Sequence, residues 1–225
     1  MKKIVLAILF VSLTLASCSS DDSGESNGVS TGNYWPMAVN NTWVFDDNGT
    51  SSELKITGTD VFNGTTYYKL YDASDSTFGV ENWVTKKGAT YFQKVADATI
   101  NQDGIVISME GYEVPIFKDD LQPNATWSGT VSPKVTYNVN GQTASLTAKV
   151  KYTGTMLEKA PTVTLNGETY TDVLKIKLKI EVTIANQLTV ADQEYWFAKD
   201  VGPIREYQST NGETSERTII DYILN

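Results

Sequence analysis

Between Leu174 and Ile184 the chain alternates with a period of two. Leu174, Ile176, Leu178, Ile180, Val182 and Ile184 fall on one side, and Lys175, Lys177, Lys179, Glu181 and Thr183 on the other. Held over eleven residues, the pattern fits a strand with one buried and one wet face, and no helix satisfies it. Turn signals surround comparable runs. Asn48-Gly49, Asn63-Gly64, Asp103-Gly104, Asn140-Gly141, Asn166-Gly167 and Asn211-Gly212 all separate β-rich segments. These dipeptides tolerate the positive φ of tight hairpins and predict antiparallel neighbours. No segment carries an apolar 3.6 period long enough for a substantial helix; Thr155 to Lys159 offers at most one turn. The expected class is all-β.

Several predicted strands are apolar on both faces, among them Trp43-Val44-Phe45, Tyr91-Phe92, Tyr195-Trp196-Phe197 and Ile219-Ile220. Burial on two sides predicts a strongly curved antiparallel sheet or half-barrel rather than a flat one. The chain also echoes itself. Met37 to Trp43 recurs as Leu121 to Trp127, Phe62 to Tyr67 as Leu165 to Tyr170, and Glu81 to Lys86 as Glu194 to Lys199, in the same order. Two related β-meanders, 34–111 and 112–225, are expected to share one core, since neither half buries its apolar face alone. The 192 residues from Tyr34 to Asn225 are enough for a single domain.

The first 17 residues read as a signal peptide. Lys2 and Lys3 precede an apolar run, Ile4 to Leu15, too short to span a bilayer comfortably. It ends in Leu15-Ala16-Ser17-Cys18, which resembles a bacterial lipobox and implies lipidation of Cys18, the sole cysteine, with membrane attachment through the N-terminal lipid. Residues 18–33 are expected to be a lipidated, disordered acidic tether, being almost wholly Ser, Asp, Gly, Glu, Asn and Thr. The pair Asp21-Asp22 resembles the surface-export signal of Bacteroidetes lipoproteins; an ordinary solubilising linker is the alternative. The expected address is the outer membrane, at the cell surface or on the periplasmic face.

The opening Tyr34-Trp35-Pro36-Met37-Ala38-Val39-Asn40-Asn41-Thr42-Trp43 and the closing Tyr195-Trp196-Phe197-Ala198-Lys199-Asp200-Val201-Gly202-Pro203-Ile204-Arg205 resemble uncharacterised Bacteroidetes (flavobacterial) outer-membrane lipoproteins. There a Pro-x-x-x-Gly-x-x-Trp start and a Trp-x-Ala-x-x-Val-Gly-x-Val-Lys finish bracket one β domain. Asn40 stands where that pattern has glycine, and Arg205 where it often has lysine. The resemblance implies a fold distantly like the half-barrels of periplasmic lipoprotein carriers, and no activity.

Composition narrows the chemistry. The chain has no histidine, so histidine bases, Ser–His triads and histidine metal sites are absent. A lipidated Cys18 leaves no thiol, and no Gly-rich phosphate loop appears. Removal of Lys2 and Lys3 leaves 16 basic against 27 acidic side chains, net −11, which argues against nucleic acid. No cofactor and no metal site is expected; Asp46-Asp47 and Asp119-Asp120 read as turn acids. For a carboxylate-pair glycoside hydrolase the runner-up pair is Glu81 and Glu194, each two residues before a tryptophan, against the plainer reading of strand-end acids that face solvent or pair with a lysine. Ligand-binding candidates are Trp35, Trp83, Trp196 and Tyr195; for Trp83 and Trp196 the plainer reading is a core anchor, and Trp35 stays open because it flanks the tether. Lys175, Lys177 and Lys179 form a basic stripe, either a solvated face or a contact for an anionic partner. The expectation is a non-enzymatic binding or assembly lipoprotein with an outer-membrane protein or glycan partner. The alternatives are a carrier of an acyl chain or lipid in a concave sheet, and the hydrolase.

Overall fold

The computed structural model describes residues 28–73, 80–102 and 104–225; Cys18 and the lipobox lie outside them. All regular structure among the described residues is β. In the first half, β1 (Thr42–Asp47), β2 (Thr50–Phe62), β3 (Thr65–Asp72), β4 (Asn82–Lys87) and β5 (Thr90–Val95) lead through the hairpin β6 (Ala98–Gln102) and β7 (Ile105–Met109) to β8 (Tyr112–Lys118). In the second, β9 (Thr126–Val131) leads through the hairpin β10 (Lys134–Val139) and β11 (Gln142–Thr147) to β12 (Lys149–Leu165). Then follow β13 (Glu168–Ile184), β14 (Gln187–Ala198), β15 (Gly202–Thr210) and β16 (Glu213–Ile223).

Twelve strands form one antiparallel sheet in the order β8-β5-β4-β3-β2-β1-β16-β15-β14-β13-β12-β9. It curls further than a half-barrel, until it is nearly closed. Its edges, β8 and β9, flank the remaining seam. The two inserted hairpins pair with each other through β7 and β10 in a second sheet, β11-β10-β7-β6, which ties the halves together beside that seam.

The strand order repeats, with β8 (Tyr112–Lys118) completing the first series, so the units divide after β8 rather than at residue 112. β1-β2-β3-β4-β5-β8 and β9-β12-β13-β14-β15-β16 run in the same sense around the barrel. Asn40 and Asn124 both hold positive φ, 72° and 67°. Their N–H groups donate to the carbonyls of Ile56 (2.8 Å) and Met156 (2.7 Å), and Ile56 and Met156 donate back to Asn41 and Ala125. The left-handed backbone explains why asparagine replaces glycine at position 40 without loss. β2 and β12 also carry matching bulges, between Ile56 and Gly58 and between Met156 and Glu158. The second bulge lies where one helical turn was conceivable, at Thr155 to Lys159. An extra residue interrupts the alternation there without ending the strand.

Asn48, Asn63, Asn140, Asn166 and Asn211 all have positive φ ahead of a positive-φ glycine, the geometry the Asn-Gly hairpins required. Thr143 to Tyr152, continuous by composition, divides at Ala148 between two sheets.

Aromatic rings fill the barrel from the pole formed by the β4–β5 and β14–β15 turns. Tyr91 stacks on Phe117 (4.1 Å between centroids), Phe117 on Phe197 (4.2 Å), and Tyr195 on Phe197 (5.9 Å). These rings come from β5, β8 and β14, so the column crosses the lumen. Trp127 lies over Gly154, where a Cβ would approach its ring to 2.0 Å.

Residues 30–33, expected to belong to the tether, are instead strapped across this filled pole. Thr31 N–H (2.9 Å) and Ser30 Oγ (2.7 Å) donate to the buried Asp119 carboxylate. Lys86 Nζ donates to Ser30 Oγ and to the Gly32 carbonyl, both at 2.6 Å, and lies 3.1 Å from Asp119. Asp200 N–H donates to the Asn33 carbonyl at 2.6 Å. The domain therefore extends outward from Tyr34 to include these residues. Their small polar side chains bury little apolar area, but buried partners satisfy them.

Candidate functional site

The end of the barrel away from the strap is open. β1 and β3 end there at Asp47 and Asp72, and β15 and β16 meet there through Tyr207↔Glu216 and Glu206↔Arg217. A pocket of about 470 Å³ occupies this mouth. Arg217 anchors it from β16: Nη1 and Nη2 donate to the two oxygens of Asp72 (2.9 and 2.6 Å), and Nε donates to Glu206 (2.8 Å). The guanidinium lies 4.6 Å from the Phe45 ring centroid, so one face rests on the aromatic core. Gln93, Gln193 and Gln208 add amides to the wall, and Tyr195 caps the aromatic column as part of the lining.

Electrostatics at the mouth are unbalanced. Burial pulls the Arg217 guanidinium down, but Glu206 and Asp72 outweigh it and hold the group above its ordinary range. Glu206 shifts the other way for a carboxylate: burial raises it, Asp72 adds to the rise, and Arg217 compensates only in part. Burial likewise raises the Tyr195 phenol, with Glu206 adding to it. Among the described residues, two carboxyl groups share one cation beside a cavity.

The duplication shows that the fold does not require these charges. Lys69↔Trp83↔Lys94 in the first copy corresponds in register to Lys175↔Trp196↔Arg205 in the second. Counting along the strands from those anchors, Asp72 corresponds to Leu178, Val95 to Glu206 and Tyr112 to Arg217. Equivalent inward positions thus accept Leu, Val and Tyr. A buried ion cluster is not in general more stabilising than apolar residues of similar volume.

The sequence candidates fall elsewhere. Glu81 pairs with Lys69 beside Trp83. Glu194 accepts from Arg205 (2.7 Å) and from Trp196 Nε1 (2.8 Å). Five strands separate β4 from β14, roughly 29 Å measured around the sheet. The structure does not bring the two carboxylates together as a hydrolase pair. Each instead braces a tryptophan on the outer face, where Trp196 lies between Lys175 (4.4 Å) and Arg205 (4.6 Å).

Trp83 is buried under Phe62 (5.2 Å) and donates to Asp60 (2.8 Å), so it is not a binding surface. Trp35 is also buried, 5.5 Å from Phe197 and 6.4 Å from Trp43. Trp43 Nε1 donates to the Val201 carbonyl (2.7 Å), and a Cβ on Gly202 would approach that nitrogen to 2.7 Å. The opening and closing motifs therefore pack against each other, while Trp35 also borders a shallow pocket of about 450 Å³ at the strapped pole, beside Asn33, Met37 and Lys86. Of the four aromatic candidates, only Tyr195 lines the mouth. Each lysine of the basic stripe has an acidic neighbour: Lys175 pairs with Glu158, Lys177 with Asp192, and Lys179 with Glu181, which also pairs with Lys151. Asp119, one of the turn acids, holds the strap.

No protein-family model and no curated protein matches the chain. Among solved structures, it is similar to a candidate lipoprotein of Parabacteroides distasonis, at 12% identity and a TM-score of 0.45, over 84% of this chain and 98% of that one. It is also similar to a candidate exported protein with a YmcC-like fold from Bacteroides fragilis, at 11% identity and a TM-score of 0.39, over the same shares.

Proposed function

We propose that the protein is a lipid-anchored binding module of the bacterial outer membrane, displayed outward, which takes a small polar ligand into the mouth of its barrel and performs no chemistry on it. The observation that carries this reading is the polar pocket of about 470 Å³ at the pole opposite the strap. Basic start, apolar run, small residues and Cys18 occur in the order a lipid-attachment signal needs. Twelve residue steps join Cys18 to Ser30, at most about 40 Å of chain, so the strapped pole stays near the bilayer and the mouth points away. Charged and amide side chains at the mouth favour a hydrated ligand over an acyl chain. The separate engagement of Glu81 and Glu194 supports binding rather than hydrolysis.

Cys18→Ala is expected to move the protein from the membrane fraction to the soluble fraction. Native mass spectrometry of the lipidated chain is expected to show a polar adduct, lost on mutation of the mouth. An acyl-chain adduct that survives mouth mutations would overturn the proposal, as would retention of Cys18→Ala on membranes.

A further inference from the structure

We infer that the mouth pocket selects ligands carrying a cationic nitrogen, an ammonium or guanidinium group, flanked by hydroxyl or amide hydrogen-bonding groups. This rests on the binding-module reading and names the class of ligand.

Three observations converge on it. First, Arg217 is the cation of the pocket wall, and its donors are engaged by Asp72 and Glu206. A carboxylate or phosphate ligand would have to displace an internal carboxylate to reach it and would meet the other one at close range. Second, among the described residues the cluster of Asp72, Glu206 and Arg217 holds one more carboxyl group than it has cations. Asp47 adds a further acid at the rim, and Glu216, also in the wall, shares Arg205 with Glu194 outside the pocket. A ligand cation completes the balance where the cavity supplies the space. Third, the imbalance is local and dispensable to the fold. The equivalent inward positions of the other copy hold Leu178, Val95 and Tyr112, so the charge was placed on an architecture that stands without it. Tyr195, Gln93 and Gln208 line the same pocket and supply an aromatic ring and two amides beside the charges.

The test is calorimetric titration of the lipidated full chain in detergent at pH 7.5. The probes are glucosamine, N-acetylglucosamine and glucuronate, three rings of similar size that differ in charge, with n-butylammonium as a small cation. Glucosamine is expected to bind at least about tenfold more tightly than N-acetylglucosamine, and glucuronate weakest. Glu206→Gln keeps an acceptor for Arg217 but removes the excess charge, and is expected to erase the preference. If that variant does not fold, the order of the four probes on the unaltered chain decides the matter alone. Equal binding of glucosamine and N-acetylglucosamine would overturn the charge selection and leave the binding module standing. Tightest binding by glucuronate would also overturn the selection. No binding by any probe would overturn the pocket as a binding site, and this inference with it.

Discussion

At Glu206 burial works against the carboxylate while Arg217 works for it, and burial prevails, so the folded chain holds that proton more tightly than the unfolded chain. A carboxyl raised on folding contributes stability below its unfolded value, about 4.5, and loses it as pH rises through the folded value. Above that window the charged form is a burden. Glu206→Gln is therefore expected to raise the melting temperature at pH 7 by about 2–4 °C, with the gain shrinking as pH falls towards 4.5 in a calorimetric series. Arg217→Met leaves two carboxylates facing each other and is expected to cost about 3–5 kcal/mol at pH 7 by urea titration, with partial recovery in acid. These residues were the least legible in sequence. Glu81, Glu194 and their tryptophans drew notice because they recur, but recurrence marks what both copies need for bracing. The pocket residues differ between copies, as Val95 and Glu206 do, and only the strand register reveals that they correspond.

Among the elements, the long strands were readable because a period of two survives in them. β13 keeps one face inward at Leu174, Ile176 and Leu178 and the other in ion pairs, as its alternation required, but from Lys179 to Ile184 both faces are only half-buried, so the wet and dry sides are not separated there. Strands whose side chains do not alternate were harder. β12 bends at its bulge, and β6 and β10 belong to a sheet that exists only because two distant hairpins meet, which no local pattern announces. Close packing between strands sets a further expectation. Gly154→Ala would drive a methyl into the Trp127 ring, at a cost of about 1–3 kcal/mol, measurable as a lower denaturant midpoint. Gly58→Ala meets nothing within 4 Å and lacks positive φ, so its midpoint is expected to hold or to rise slightly.

For the molecule as a whole, duplication and curling were legible from the repeated words and the two-faced strands. The polarity of the barrel was not, because a run of Ser, Thr, Gly and Asn reads as linker until its partners appear. Asp119 supplies them. Asp119→Ala is expected to destabilise the domain by about 3–5 kcal/mol, since it strands Lys86 as well as the strap. It should also open residues 28–35 to limited proteolysis. Unchanged cleavage there would show that the strap holds without its carboxylate.

The strap also decides where traction goes. A pull on the chain that precedes Ser30 loads the hydrogen bonds of Ser30 and Thr31 to Asp119 first, then the column of rings from Tyr91 to Tyr195, and reaches Arg217 last. The end that takes up the tension is not the end that carries the pocket, so a tug on the N-terminal chain leaves the shape of the mouth undisturbed.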